Sequence, residues 1–200
     1  MYMKKILALL LVVCSILSNS AVAGDKKGDV SKYAKKEAKQ YKKAGWKILS
    51  DYSCFESPME EQLELGYYYD ISGDYTYAIG LSGLCDNMNE ALDIAQVSAE
   101  QQLSENICTT IIARIESSLI NKGYNNGQVE TFTRTLATSI SIVMEQNIKS
   151  IKVLGIYRET KDGKFEVSIG LACKYDDVLE SVKEDLSKKD ARNQEYISLF

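Results

Sequence analysis

The sequence predicts an α+β fold: a two-layer domain in which two long helices pack one side of a three-stranded, mainly antiparallel sheet, in the order β-α-α-β-β-α. Three observations predict it. Residues 74–85 alternate large and small with a period of two. Residues 89–148 carry apolar residues every three to four positions, broken once at Gly123. Two further strand segments, the second of them alternating, flank an Asp162-Gly163 turn. Periods of two and 3.6 mark strands and helices respectively, and strands joined by long helices plus a terminal hairpin suit a layered α+β domain.

In the first strand, Asp74 to Cys85, Tyr75, Tyr77, Ile79, Leu81 and Cys85 alternate with Thr76, Ala78, Gly80 and Ser82. Asp86 or Asn87 caps the first long helix, about Asn89 to Lys122. Its stripe is Ala91, Ala95, Ala99, Leu103, Ile107, Ile111, Ile115 and Leu119. The early alanines suit close approach to another element; the later Leu and Ile fill a thicker core. Lys122 to Gly127 is rich in turn residues. The second helix, Gln128 to Ile148, presents Val129, Phe132, Leu136, Ile140, Val143 and Ile148. Strands follow at Ile151 to Glu159 and Lys164 to Tyr175, joined by the Asp-Gly turn. A last helix runs from Asp176 or Asp177 to Lys188.

The expected sheet has one large-apolar face under the helices. Its other face collects Thr76, Ala78, Gly80, Ser82, Ser168, Gly170 and Ala172, a small, flat surface for the N-terminal segment or a partner subunit. Upstream, Ser57 caps a short helix with Pro58 at its first position, ending at Gly66.

The chain has 200 residues, a net charge of −4 and no histidine. The missing histidine excludes Ser-His-Asp triads, Cys-His pairs and His-ligated metals. The acidic balance argues against nucleic acid as a partner. Charge is unevenly placed. Residues 24–47 hold nine lysines against three acids, net +6, while residues 48–200 are net −12. The basic arm carries a helix from about Ser31 to Ala44, with a thin apolar stripe of Ala34, Ala38 and Tyr41. Two readings apply: a solvated helix lying on its own acidic body, or adhesion to anionic envelope material such as phosphorylated glycolipid. The stripe is too weak for membrane insertion.

The first residues, MYMKKILALLLVVCSILSNSAVAG, order a basic start, an apolar run and an Ala-Val-Ala site before Gly24. This is the order of a secretory signal cleaved between Ala23 and Gly24. A lipobox needs a small residue before Cys14, and Val13 is not small. A soluble exported protein is therefore expected, periplasmic or secreted, with outer-membrane association only if Cys14 is lipidated. The resulting segments are a signal peptide (1–23), a Lys-rich helical arm (24–47), a connecting segment (48–73), the α+β domain (74–188) and a tail (189–200). Cys54, Cys85, Cys108 and Cys173 then remain. An oxidising compartment permits bridges. Cys85 and Cys173, both on inward strand faces, form a candidate disulfide if their strands are neighbours in register; buried thiols are the alternative.

The alanine-striped helix, the segment Val153-Leu154-Gly155-Ile156-Tyr157-Arg158, the Asp162-Gly163 turn and Phe165-Glu166-Val167-Ser168-Ile169 together carry a resemblance. Over roughly Asp74 to Leu186 the chain resembles exported proteins of the Lpp-twenty lipoprotein type and the related N-terminal domains of flagellar outer-membrane accessory proteins. It is also similar to uncharacterised secreted proteins of gut Bacteroidetes with a Lys-rich start and a Gly-Trp like Gly45-Trp46. The resemblance implies an envelope-associated, non-enzymatic domain. The absent lipobox is its departure.

No residue pattern assigns catalysis, a cofactor or a metal. The carboxylate neighbours Glu60-Glu61, Asp176-Asp177 and Glu184-Asp185 read as solvated faces or caps. Asp86 to Glu90 lacks calcium-loop spacing, and Gly80 to Gly83 is no phosphate loop. The concentrated feature is Tyr67, Tyr68, Tyr69, Tyr75 and Tyr77. Exposed together, they offer a surface for sugar rings or a partner; otherwise alternate members enter the core. Two functions are expected. One is a structural or interaction protein of the envelope, binding an envelope protein or itself. The other is a glycan- or peptidoglycan-binding module. Membrane contact is expected only peripherally, through the arm.

Overall fold

A computed structural model describes residues 26–50, 57–147, 150–189 and Ile197. Among the described residues the fold is α+β, with five helices and one four-stranded antiparallel sheet. In chain order the elements are α1 (Lys26–Lys43), β1 (Lys47–Ile48), α2 (Met59–Ser72), β2 (Tyr75–Leu81), α3 (Met88–Asn121), α4 (Asn126–Asn147), β3 (Ile151–Glu159), β4 (Phe165–Lys174) and α5 (Tyr175–Lys189). The sheet order is β1-β3-β4-β2, every pair antiparallel. From β2 onward the order is β-α-α-β-β-α, as the periodicities require.

Local signals explain the boundaries. The Asn87 side chain accepts a hydrogen bond from the Glu90 N–H at 2.8 Å and starts α3. Asn125 and Gln128 cap α4 reciprocally, at 3.0 and 3.1 Å. The apolar stripes of α3 and α4 are buried from Ala91 to Leu119 and from Val129 to Val143; Ile148 lies outside the described residues. Gly163, at φ +73°, makes the β3–β4 turn.

Four expectations are corrected. The sheet has a fourth strand, β1, too short at two residues for alternation to reveal it. The short helix does not stop at Gly66 but runs on to Ser72, ending at Gly73 with φ +76°. The architecture has three layers. One core joins α3, α4 and α5 to Ala78, Val167, Ile169, Leu171 and Cys173. A second, on the opposite face, joins α1 and α2 through Ala34, Ala38, Met59 and Leu63 to Leu154 and Ile156.

The fourth correction concerns the small, flat face, which does not exist. The register sets Ala78 against Leu171 and Gly80 against Ile169. Paired residues share a face, so the small side of β2 lies with the large side of β4, under α3. A Cβ on Gly80 would come within 2.1 Å of the Ala95 carbonyl oxygen and 2.3 Å of the Ala99 nitrogen. Ser168, Gly170 and Ala172 lie on the other face, with Ile156, Ile79 and Tyr77 as their pairing partners.

Candidate functional site

The five tyrosines do not form one surface. Tyr67, Tyr68 and Tyr69 are consecutive on α2, so they point in directions about 100° apart. Tyr67 turns inward and donates a short hydrogen bond to the Glu37 carboxylate on α1. Tyr77 lies under α2, where a Cβ on Gly66 would meet its ring at 2.8 Å. Tyr69 and Tyr75 pack ring against ring at a tilt of 43°, centroids 4.4 Å apart. Tyr68, 54% exposed, is the most open of the five.

Glu37 is the hub of this region, and the sequence showed it only as one acid among lysines. Burial, then the nearby charge of Glu37 and its hydrogen bond, push the Tyr41 phenol up to about 12. Burial and the same carboxylate raise Tyr67, and burial raises Tyr77 above the ordinary phenol range. Tyr41 also meets Trp46 edge-on at 5.7 Å. Arg158 stacks 5.2 Å from the Trp46 ring and pairs with Glu166 at 2.5 Å.

Gln62 is a second residue that sequence reasoning missed. It is 3% exposed. Its oxygen accepts the Gly155 N–H at 2.9 Å and its nitrogen donates to the Ser57 carbonyl at 2.7 Å. The irregular pairing of β3 between Lys152 and Leu154 lies just before this amide. A glutamine on an apolar helix side was the available signal.

Tyr68 borders an open cleft of 660 Å³ with Val30, Leu65 and Ile71, rimmed by Glu61, Glu64 and Asp74. On α1, the apolar stripe is spent on the body: Ala34 and Ala38 are fully buried. Lys32, Lys35, Lys36, Lys39 and Lys43 are exposed. Among the described residues, Lys42 is the one α1 lysine in a salt bridge, with Glu60 at 2.7 Å. That hydrogen bond holds the Glu60 carboxyl below its usual range.

A Cys85–Cys173 bridge is ruled out. Cys85 sits opposite Phe165 and Cys173 opposite Thr76, about 27 Å apart along β4 at ~3.4 Å per residue, against a bridging limit of ~7 Å. Both are free and buried. Burial pushes the Cys173 thiol up to about 12, and Asp177 adds to the shift. Cys54 and the Ala23–Gly24 cleavage site lie outside the described residues. Among the described residues no His/Cys/Asp/Glu group could hold a metal ion, and no helix is long and apolar enough to cross a membrane.

Compared with known proteins, the chain matches no family model, no curated protein and no solved structure.

Proposed function

We propose that the chain is a non-enzymatic exported envelope protein with an interaction role, docking on anionic envelope material through α1. The observation that carries this reading is the lysine ridge of Lys32, Lys35, Lys36, Lys39 and Lys43, held outward on a helix whose apolar side is buried. A lysine near an anionic lipid surface contributes about 1 kcal/mol, and the acidic remainder of the chain orients the ridge toward that surface. The most strongly perturbed tyrosines support a structural role over chemistry: Tyr67 and Tyr77 pack α1 and α2 onto the sheet.

Cosedimentation with phosphatidylcholine vesicles, with and without lipid A, tests the reading. Binding is expected only with lipid A, is expected to weaken as salt rises, and is expected to be lost in a variant carrying Lys32→Glu, Lys36→Glu and Lys39→Glu. Equal binding to neutral vesicles, or none at low salt, overturns it. The intact mass of the native, fractionated protein tests export: the chain should begin at Gly24.

A second reading is a glycan-binding module, narrowed from five tyrosines to the cleft at Tyr68. There an exposed ring stands beside the free carboxylates Glu61 and Glu64, which suit stacking on a sugar and accepting its hydroxyls. Loss of peptidoglycan pull-down in Tyr68→Ala, with the fold unchanged, supports it.

A further inference from the structure

The two edges of the sheet differ. One is β1, two residues long. The other is β2, seven residues of sequence YTYAIGL with no charge and no proline, paired with β4 without a register shift. Natural edges are blunted by charges, prolines, bulges or brevity; β2 uses none of these.

Its hydrogen-bonding direction is fixed by its ends. The Tyr175 N–H donates to the Asp74 carbonyl at 2.9 Å, and the Ser82 N–H donates to the Val167 carbonyl at 3.0 Å. Bonding alternates along an antiparallel strand, so residues 74, 76, 78, 80 and 82 turn their backbones to β4. Tyr75, Tyr77, Ile79 and Leu81 turn theirs outward, and no described loop or helix backbone bonds to them.

Gly80 lets α3 settle on β2 at Ala95 and Ala99. Leu81, with Tyr75, Tyr77 and Ile79, lies on the sheet face opposite α3. It is 40% exposed at the strand end, and Leu84 beyond it is 58% exposed.

We infer that β2 is a self-pairing edge, joining two copies of this chain antiparallel about a two-fold axis at Ala78 into one continuous sheet. The strand is self-complementary in this register. Tyr77 falls opposite Ile79 of the second copy, and Tyr75 opposite its Leu81. Every outward N–H and C=O then meets its counterpart, and each pair sets an aromatic ring against an aliphatic side chain, a favourable cross-strand combination. Asp74 falls opposite Ser82, so no like charges are opposed within the strand. Among the described strands, β4 is paired on both sides, while β3 meets β1 on its outer side at Ile156 and Tyr157 and has the Gly155 N–H closed by the Gln62 side chain. The inference is independent of the envelope reading.

The test uses the purified exported chain. Sedimentation should give twice the chain mass, dissociating on dilution, and Leu81→Lys should be monomeric, with the melting temperature of the unmodified chain at a dilution where that chain is itself monomeric. Hydrogen exchange on the unmodified chain keeps the test valid if that variant fails to fold. Between roughly 5 μM and 500 μM the amides of Tyr75, Tyr77, Ile79 and Leu81 should slow about tenfold, while those of Thr76, Ala78 and Gly80 stay protected throughout. A monomer at all concentrations, a dimer unaffected in a folded variant, or outward amides insensitive to concentration overturns the inference.

Discussion

The phenol of Tyr77 lies over the backbone of Gly170: a Cβ built on Gly170 would stand 2.6 Å from Tyr77 Oη and 2.8 Å from Leu154 Cβ. The large residues of β2 thus rest on the small residues of β4, and α2 closes over them at Gly66. The ring end can swing, but Leu154 Cβ is fixed to its backbone. Gly170→Ala is therefore expected to cost about 1–3 kcal/mol, as overpacking does. Tyr77→Phe should recover part of that loss, and urea unfolding of the double-mutant cycle measures how much. Full additivity would contradict the contact.

Gly80 is the stricter position. The atoms that a Cβ would meet belong to the backbone of α3, at 2.1 and 2.3 Å, so no side chain can move aside. Gly80→Ala should lift α3 from the sheet and cost about 3 kcal/mol or more. Gly127→Ala, whose Cβ would meet its nearest neighbour at 3.4 Å, is the control, expected to change stability by about 0.5 kcal/mol or less.

Alkaline pH should loosen the α1–α2 layer. Tyr41, Tyr67 and Tyr77 have raised pKa values, Tyr41 to about 12. Each keeps its proton in the folded chain after the unfolded phenol, at an ordinary value of about 10, has lost it. Their contribution is whole below about pH 10 and falls as pH rises from there through the folded values, by about 1.4 kcal/mol per pH unit for each tyrosine. Urea unfolding between pH 9 and 12 checks this. Tyr67→Phe should flatten the slope and, by removing the bond to Glu37, cost about 1.5–3 kcal/mol at neutral pH.

Gln62 fastens α2 to β3 through the Gly155 amide. Gln62→Met fills the same space but leaves that buried N–H without its acceptor, at a cost of about 1–3 kcal/mol. Faster exchange of the Gly155 amide, with β4 amides unchanged, would locate the loss. An unaltered Gly155 amide would show that the side chain is not its partner.

The sequence by itself determined the elements from β2 to α5, because each is long enough for its period to repeat. Ala91 to Leu119 spell a helix stripe, and Phe165 to Cys173 alternate along a whole strand. It also determined where charge lies, since counting lysines needs no coordinates. Only the tertiary structure decided which strand faces share a side. Alternation shows that β2 and β4 each have a large and a small face, but a shift of one residue in pairing exchanges them. The observed register, with Gly80 against Ile169, divided the small residues between two faces. Tertiary packing also decided the tyrosines' fates. Three neighbours on a helix look alike in sequence, yet one bonds Glu37, one packs its ring against Tyr75 and one meets solvent. Gly66 reads as a helix stop because glycine weakens helices locally; the ring of Tyr77, eleven residues away in sequence, is what requires it within the helix.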